Sequence, residues 1–191
     1  MSFIKRMFKP SVKTSIIALS SRKRLNLGCG FDYKEGWVNV DMNKAVKADI
    51  HSDFMSLVGT FKEAEFDLIE MMHSIGYLNM WQAELFLKEV HKWLQIGGAL
   101  VLEFPDVEKC AQLLLNAKSS DKKYLEAIRA FYAFDLNQIA NQEVYVPYVM
   151  GYSHRNISEI LKSIGFTKIV VEDPQTHKKR VHRDVRVVAF K

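Results

Sequence analysis

The chain has 191 residues, 48% hydrophobic and 26% charged, with a formal net charge of +5; that balance suits one domain with a full core and excludes wholesale disorder. No apolar run approaches the roughly 20 residues needed to cross a bilayer, so no transmembrane segment is expected. Two cysteines, Cys29 inside a glycine turn and Cys110, exclude a disulfide scaffold and point to a reducing, cytoplasmic setting; zinc-type Cys/His spacing is absent, so no metal is expected.

Residues 1–21 read as a basic N-terminal arm, and 22–191 as a single domain with a helical insertion at about 106–152. Lys5, Arg6, Lys9, Lys13, Arg22, Lys23 and Arg24 come without an acid, and Lys178, Lys179, Arg180, Arg183, Arg186 and Lys191 oppose only Asp184. These two segments hold 13 of the 27 basic residues. They suit an anionic partner (phosphate, glycan or lipid) or simply solvated termini. Met1–Phe8 has the makeup of a basic amphipathic segment that can touch a membrane surface.

From residue 24 onward, strand-like and helix-like stretches alternate, which predicts a parallel sheet with helices on both faces. Leu25–Leu27, Trp37–Asp41, Ala48–His51, Phe66–Met72 and Ala99–Phe104 are the first five strands. Met80, Ala83, Leu87, Val90 and Leu94 repeat at helical spacing, with Asn79 and Gln82 at the start and Gly97-Gly98 as the stop. Asp106–Leu115 and Asp121–Ala140 read as two inserted helices, Asp106 as the cap of the first. The aromatic stretch Tyr145–Tyr152 follows, and the whole block reads either as a pocket wall or as extra core. Asn156 and Glu159 form a capping-box pattern ahead of a helix over Ile157–Ile164, which Gly165 ends. Strand six is Phe166–Glu172, and Asp184–Phe190 is a last strand antiparallel to it.

The densest chemical signal is Leu25-Asn26-Leu27-Gly28-Cys29-Gly30 followed by Trp37-Val38-Asn39-Val40-Asp41. A strand ending in a Gly-x-Gly turn lets backbone N–H groups approach a ligand closely. A carboxylate at the tip of the next strand can take both hydroxyls of a ribose. The gap from Gly30 to Asp41 is shorter than the spacing of a nicotinamide-binding unit, which counts against a dehydrogenase. Among the histidines, His73 at the fourth strand's tip and His154 before a helix are the candidate catalytic bases. His91, His177 and His182 read as surface groups, the last two also as anion ligands. His51 lies off the reaction centre.

This series resembles the opening of the class I S-adenosylmethionine-dependent methyltransferases, and more narrowly a compact bacterial type-11-like branch whose members often accompany polysaccharide biosynthesis. The resemblance continues through Asp49–Phe54, Phe66–Ile69, His73, Leu94–Gly98, Phe104–Asp106, His154, Leu161–Phe166 and His182–Arg186. It implies a seven-stranded Rossmann-like sheet of order 3-2-1-4-5-7-6 and S-adenosylmethionine as cofactor. By position, Gly28, Cys29 and Gly30 would contact its methionine part, Asp41 its ribose, and Met42 the side of the adenine. Asp53 and Phe54 would contact the adenine edge and face, and Met71, Met72 and His73 would border the sulfonium. One departure stands out: where the family often carries Glu-His after the fourth strand, this chain has Gly76-Tyr77.

The implied activity is methyl transfer to a small-molecule or glycan-linked acceptor, through a hydroxyl. An anionic acceptor would suit Lys178, Lys179, Arg180 and Arg183. Two other readings remain: a cofactor-binding scaffold without catalysis, motivated by Gly76-Tyr77, and an RNA-modifying methyltransferase docking through the basic ends. No Asn/Asp-Pro-Pro-Tyr/Phe segment or Pro-Cys dipeptide marks a base methyltransferase.

Overall fold

The structure, a computed structural model, describes residues 23–133 and 146–191. The predicted basic arm, the end of the second inserted helix beyond residue 133, and Tyr145 lie outside the described residues.

Seven strands form one sheet: β1 (Arg24–Leu27), β2 (Val38–Asp41), β3 (Ile50–His51), β4 (Phe66–Met72), β5 (Leu94–Pro105), β6 (Lys168–Glu172) and β7 (Asp184–Phe190). Four α-helices accompany it among the described residues: α1 (Met80–Trp93), α2 (Val107–Asn116), α3 (Lys122–Tyr132) and α4 (His154–Ile164). The strand order is β3-β2-β1-β4-β5-β7-β6, as expected. Strands β1 to β5 pair in parallel, and β7 runs antiparallel to both β5 and β6. The carboxyl ends of β1, β2, β4 and β5 therefore meet the amino end of β7 along one edge.

Pleating divides the sheet into two unlike faces, because successive side chains point to opposite sides. Leu25, Ile69, Leu100 and Ala189 form one cross-strand row, and Leu27, Met71, Leu102 and Val187 the next. All eight are wholly buried. Helices α1 and α4 cover this side, contributing Ala83, Phe86, Leu87, Val90 and Trp93 from one and Ile157 and Leu161 from the other. The opposite rows carry Asn26, Glu70, Val101 and Val188, then Met72, Glu103 and Arg186. That face holds the sheet's polar groups.

The start of α1 obeys its sequence signal. Asn79 Oδ1 accepts from Gln82 N at 3.0 Å and Gln82 Oε1 from Asn79 N at 3.1 Å, a complete capping box. Two expected boundaries move. Gly97-Gly98 does not end α1, because the chain passes into β5 at Leu94 and the glycines lie within that strand. Gly97 has φ of +78° and donates to Lys191 O, a local irregularity that glycine accommodates without a Cβ clash. Helix α4 begins at His154, three residues before its apolar stripe, since Ser153 and not Asn156 supplies the capping oxygen, to Asn156 N at 3.2 Å. Gly165 ends it in the left-handed region, as expected.

The sheet's two lateral strands are modest. β3 has two residues, and β6 begins and ends on exposed charges, Lys168 and Glu172. Helices α2 and α3 pack on each other around Cys110, Ala127 and Ala130 as a small cluster of their own.

Trp93 closes α1 over an aromatic group, 5.0 Å from Phe61 and 5.7 Å from Phe86, centroid to centroid. Trp93→Ala is expected to cost about 3–5 kcal/mol in chemical denaturation through the cavity it leaves, whereas Trp81→Ala, at an 80% exposed position, stays within about 0.5 kcal/mol.

Candidate functional site

The tips of β1 and β2 are tied to each other. Gly28 N and Cys29 N donate to Val40 O at 2.8 and 3.0 Å. Gly30 N then donates to Asp41 Oδ2 at 2.8 Å, and Asn43 N to Asp41 Oδ1 at 2.8 Å. An ionised carboxylate offers about four acceptor positions, so two remain for a diol. A Cβ added at Gly30 would meet nothing within 4 Å, which leaves open space over the turn. Gly28 is different: at φ of +70°, its Cβ would lie 2.6 Å from the Ser74 Cβ and 3.3 Å from the Phe54 ring. The β1 turn is therefore pressed against both, and Ser74 Oγ fastens it by donating to Leu27 O at 3.0 Å. No helix follows β1; a buried amide network does its work, with Asn26 Nδ2 donating to Asp32 O and Asn39 Oδ1, and Lys34 N to the same Asn39 oxygen.

The structure sorts the other expected cofactor residues. Phe54 stands beside Gly28 and stacks on Phe86 at 5.2 Å. Met42 is exposed next to Asp41. Asp53 is committed to a local cap, accepting from Ser56 N at 2.9 Å and Ser56 Oγ at 2.6 Å. Cys29 turns its thiol inward toward Lys47 O, and burial, with Asp41 nearby, pushes that thiol up to about 11; only its backbone is left for a ligand. Met71 turns its side chain wholly into the core row under α1, so that side chain serves the core and only the backbone faces the strand tip. Met72 points to the opposite face, where Thr176 Oγ1 donates to its sulfur.

Beyond β4, part of the aromatic stretch expected as a pocket wall or as extra core packs against the residues that follow the strand. Val149 N and Met150 N donate to Gly76 O, and the Tyr148 hydroxyl donates to His73 O at 2.7 Å. The Tyr148 ring lies so close on Gly76 that a Cβ there would come within 2.7 Å of its Cγ. Tyr77 completes the wall, edge-on to Tyr148 at 4.9 Å. Gly76 is thus matched by Tyr148: the absence of a side chain at Gly76 makes room for the ring.

Two histidine clusters occupy the same edge. In the first, Asp106 caps α2 by accepting from Glu108 N and Lys109 N, and also accepts from His154 N and, at 2.6 Å, from the His154 ring through Nδ1. Burial tends to raise the Asp106 carboxyl, but these donors outweigh it and hold it below the ordinary range. An ionised carboxylate only accepts, so Nδ1 carries the proton and Nε2 is the free nitrogen.

In the second, His73 sits in the left-handed region at φ of +52°, unusual for a residue with a Cβ. Its N–H donates to Glu103 O at 2.7 Å. His73 Nε2 lies 2.8 Å from His177 Nδ1, 3.7 Å from Asp184 Oδ2 and 3.9 Å from Glu103 Oε1. Both carboxylates are fully buried. Arg183 forks Asp184 at 2.6 and 3.1 Å, so it is not free to meet an anionic ligand as expected from sequence; the exposed Lys178–Arg180 turn is. Burial, reinforced by His177 and Arg183 and opposed by Asp184 and Glu103, pushes the His73 imidazole down to about 4. Burial and Arg180 lower His177 as well. Backbone N–H donors from Gln175, Thr176 and His177 hold Glu103 below the usual carboxylate range despite its burial.

No protein-family model matches the chain, and no curated protein matches it in sequence. Solved structures do match in shape. A SAM-dependent methyltransferase from Archaeoglobus fulgidus aligns with a TM-score of 0.58 at 14% identity, over 94% of this chain and 93% of that one. An S-adenosylmethionine-dependent methyltransferase from Mesorhizobium loti aligns at 0.56 and 15%, over 93% and 98%. The Burkholderia thailandensis 1,6-didemethyltoxoflavin-N1-methyltransferase, solved with S-adenosylhomocysteine, aligns at 0.53 and 11%, over 94% and 76%. The fold is that of the class I methyltransferases. Within the methyltransferase fold of this chain, the paired β1 and β2 tips and the two histidine clusters share the carboxyl edge of the parallel strands.

Two measurements check this geometry. Gly76→Ala should destabilise the chain by about 1–3 kcal/mol by overpacking, and nearly all of that cost should vanish in a Tyr148→Ala background, which a double-mutant cycle reads directly. His73 binds its proton less readily folded than unfolded, so its stabilising contribution is complete above about pH 6.5 and is lost as pH falls toward 4. The depressed Glu103 and Asp106 carboxyls extend that loss at lower pH. Stability followed by denaturation should therefore fall on acidification through this window, and His73→Gln should flatten the profile by on the order of 2 kcal/mol.

Proposed function

We propose that the chain is an S-adenosylmethionine-dependent methyltransferase acting on a hydroxyl of a small-molecule or glycan-linked acceptor. The observation that carries this reading is the Gly30 N–H to Asp41 bond of 2.8 Å across the β1 and β2 tips, in a sheet of order 3-2-1-4-5-7-6. The donor set fits the nucleoside: the spare acceptor positions of Asp41 take the ribose hydroxyls, the open space over Gly30 takes the methionine end, and Met42 and Phe54 offer apolar surface to the base. When bound, the cofactor supplies an electrophilic methyl group on a sulfonium.

The remaining work belongs to the chain. Tyr77 and Tyr148 wall the acceptor's place beyond β4 and exclude water from it. His154 takes the acceptor proton at Nε2, because Asp106 fixes its tautomer and orientation; a positioned base of this kind contributes roughly 10²–10⁴-fold. His73 is less suited to that task, since its Nε2 already faces His177 and two buried carboxylates. The exposed Lys178, Lys179 and Arg180 favour a phosphorylated acceptor. Alignment of acceptor and methyl supplies the rest, up to about 7–11 kcal/mol of the barrier.

Calorimetry and an S-adenosylhomocysteine-release assay with phosphorylated sugars test this together. Asp41→Ala should weaken cofactor binding by about 100-fold, the loss of two charge-assisted hydrogen bonds. His154→Gln should leave cofactor binding intact and lower turnover by about 10²–10⁴-fold. Unchanged cofactor affinity in Asp41→Ala would overturn the reading, and turnover on transfer RNA alone would move the acceptor to nucleic acid.

A further inference from the structure

We propose that His73, His177 and Asp184 form a binding site for a divalent transition-metal ion of the zinc or cobalt type. One ligand atom from each, His73 Nε2, His177 Nδ1 and an Asp184 carboxylate oxygen, lies within 4.8 Å of the other two. Two imidazole nitrogens and one carboxylate form a donor set that suits such ions and leaves further coordination positions open.

The separations are close to those of a formed site. An ion about 2.0–2.2 Å from each donor holds neighbouring ligand atoms roughly 3–3.5 Å apart. The two nitrogens stand at 2.8 Å, and His73 Nε2 and Asp184 Oδ2 at 3.7 Å. Shifts of well under 1 Å in side chains would therefore admit the ion. Two imidazole nitrogens aimed at each other need one proton between them to make a hydrogen bond; a metal ion uses both lone pairs at once.

The surroundings hold these donors in place. His73 keeps its left-handed backbone because both of its peptide groups are bonded, its N–H to Glu103 O and its carbonyl to the Tyr148 hydroxyl. A left-handed residue whose N–H and carbonyl are both held by neighbours keeps its imidazole in one place. The Glu103 carboxylate accepts from Gln175 N, Thr176 N and His177 N, which anchors the loop bearing His177. Arg183 fixes the Asp184 carboxylate through both of its oxygens, Nε to Oδ1 and Nη2 to Oδ2, leaving the second lone pair of Oδ2 for an ion. Outer contacts of this kind orient metal ligands and govern affinity. Glu103 lies close enough to His73 Nε2, at 3.9 Å, to add its charge to the site.

The ion site stands on this donor set alone. Its use in catalysis rests on the methyl-transfer reading: the cluster shares the carboxyl edge with the acceptor wall, and its open positions accept an oxygen ligand whose hydroxyl becomes more acidic on coordination.

The full chain, stripped with a chelator, should bind one equivalent of Co²⁺ with a visible ligand-field spectrum, and Zn²⁺ should displace it. His177→Ala, in a half-exposed loop, should keep its melting temperature and lose at least about tenfold in Co²⁺ affinity. His182→Ala, whose ring faces Glu126, should retain full affinity. Absence of Co²⁺ and Zn²⁺ binding by the folded chain, or equal affinity in His177→Ala, would overturn the site. Asp41→Ala serves as the separating control: it should bind Co²⁺ unchanged, so a failure of the cofactor reading and a failure of the metal site show up in different experiments.

Discussion

The alternation of side chains along β5 is the constraint from which both the core and the candidate chemistry follow. Leu100, Leu102 and Phe104 point under α1 and α4 and are buried in the main core. Glu103, between two of them, must point the other way, and it is just as fully buried. A buried carboxylate is costly unless donors satisfy it. The chain answers with three backbone N–H groups from residues 175–177, and in doing so draws the β6–β7 connection over the strand tips. Asp106, just past the end of the same strand, repeats the device with α2 and His154. One strand thus sets the helical side of the sheet by its apolar residues and gathers two histidine clusters by its acidic ones.

Much of this was legible in the residues. The alternation of elements predicts a parallel sheet, whereas the observed strand order was legible only as what the resemblance of the Gly28-Cys29-Gly30 turn and the Asp41 strand tip implies. The Asn79–Gln82 capping box and the Gly165 stop are local signals read over a few residues. Boundaries failed where tertiary pairing overrode a local rule. Gly97-Gly98 is a good helix terminator in isolation, but strand pairing with β4 and with Lys191 draws these glycines into β5. Ser153 lost to Asn156 in the reading because two capping residues three positions apart look alike until the helix start is known. Met71 and Met72 are indistinguishable as neighbours in sequence; the pleat alone sends one into the core and the other toward Thr176.

The second histidine cluster was not legible, for a different reason. His73 and His177 are separated by 104 residues, and no local pattern links them. What brings them together is β7 lying antiparallel beside β5, which puts Asp184 opposite Pro105 at the strand tips. Gly76 tells a similar story. In sequence it stands as a lone departure from the pattern the chain resembles; in the structure the Tyr148 ring occupies the space a side chain there would need. A glycine kept for such a contact is understood only together with the residue that sits on it.

The lateral strands carry a consequence for how the molecule behaves among copies of itself. A sheet grows by adding strands wherever a long, flat row of unpaired peptide groups is offered. β3 provides a ladder of only two residues, and β6 is bracketed by Lys168 and Glu172, whose charges would have to be desolvated by any newcomer. Neither border is a template. The chain can therefore keep apolar Val170 and Val171 at its rim without inviting fibrillar stacking, and crowding in a concentrated solution should leave the sheet at seven strands.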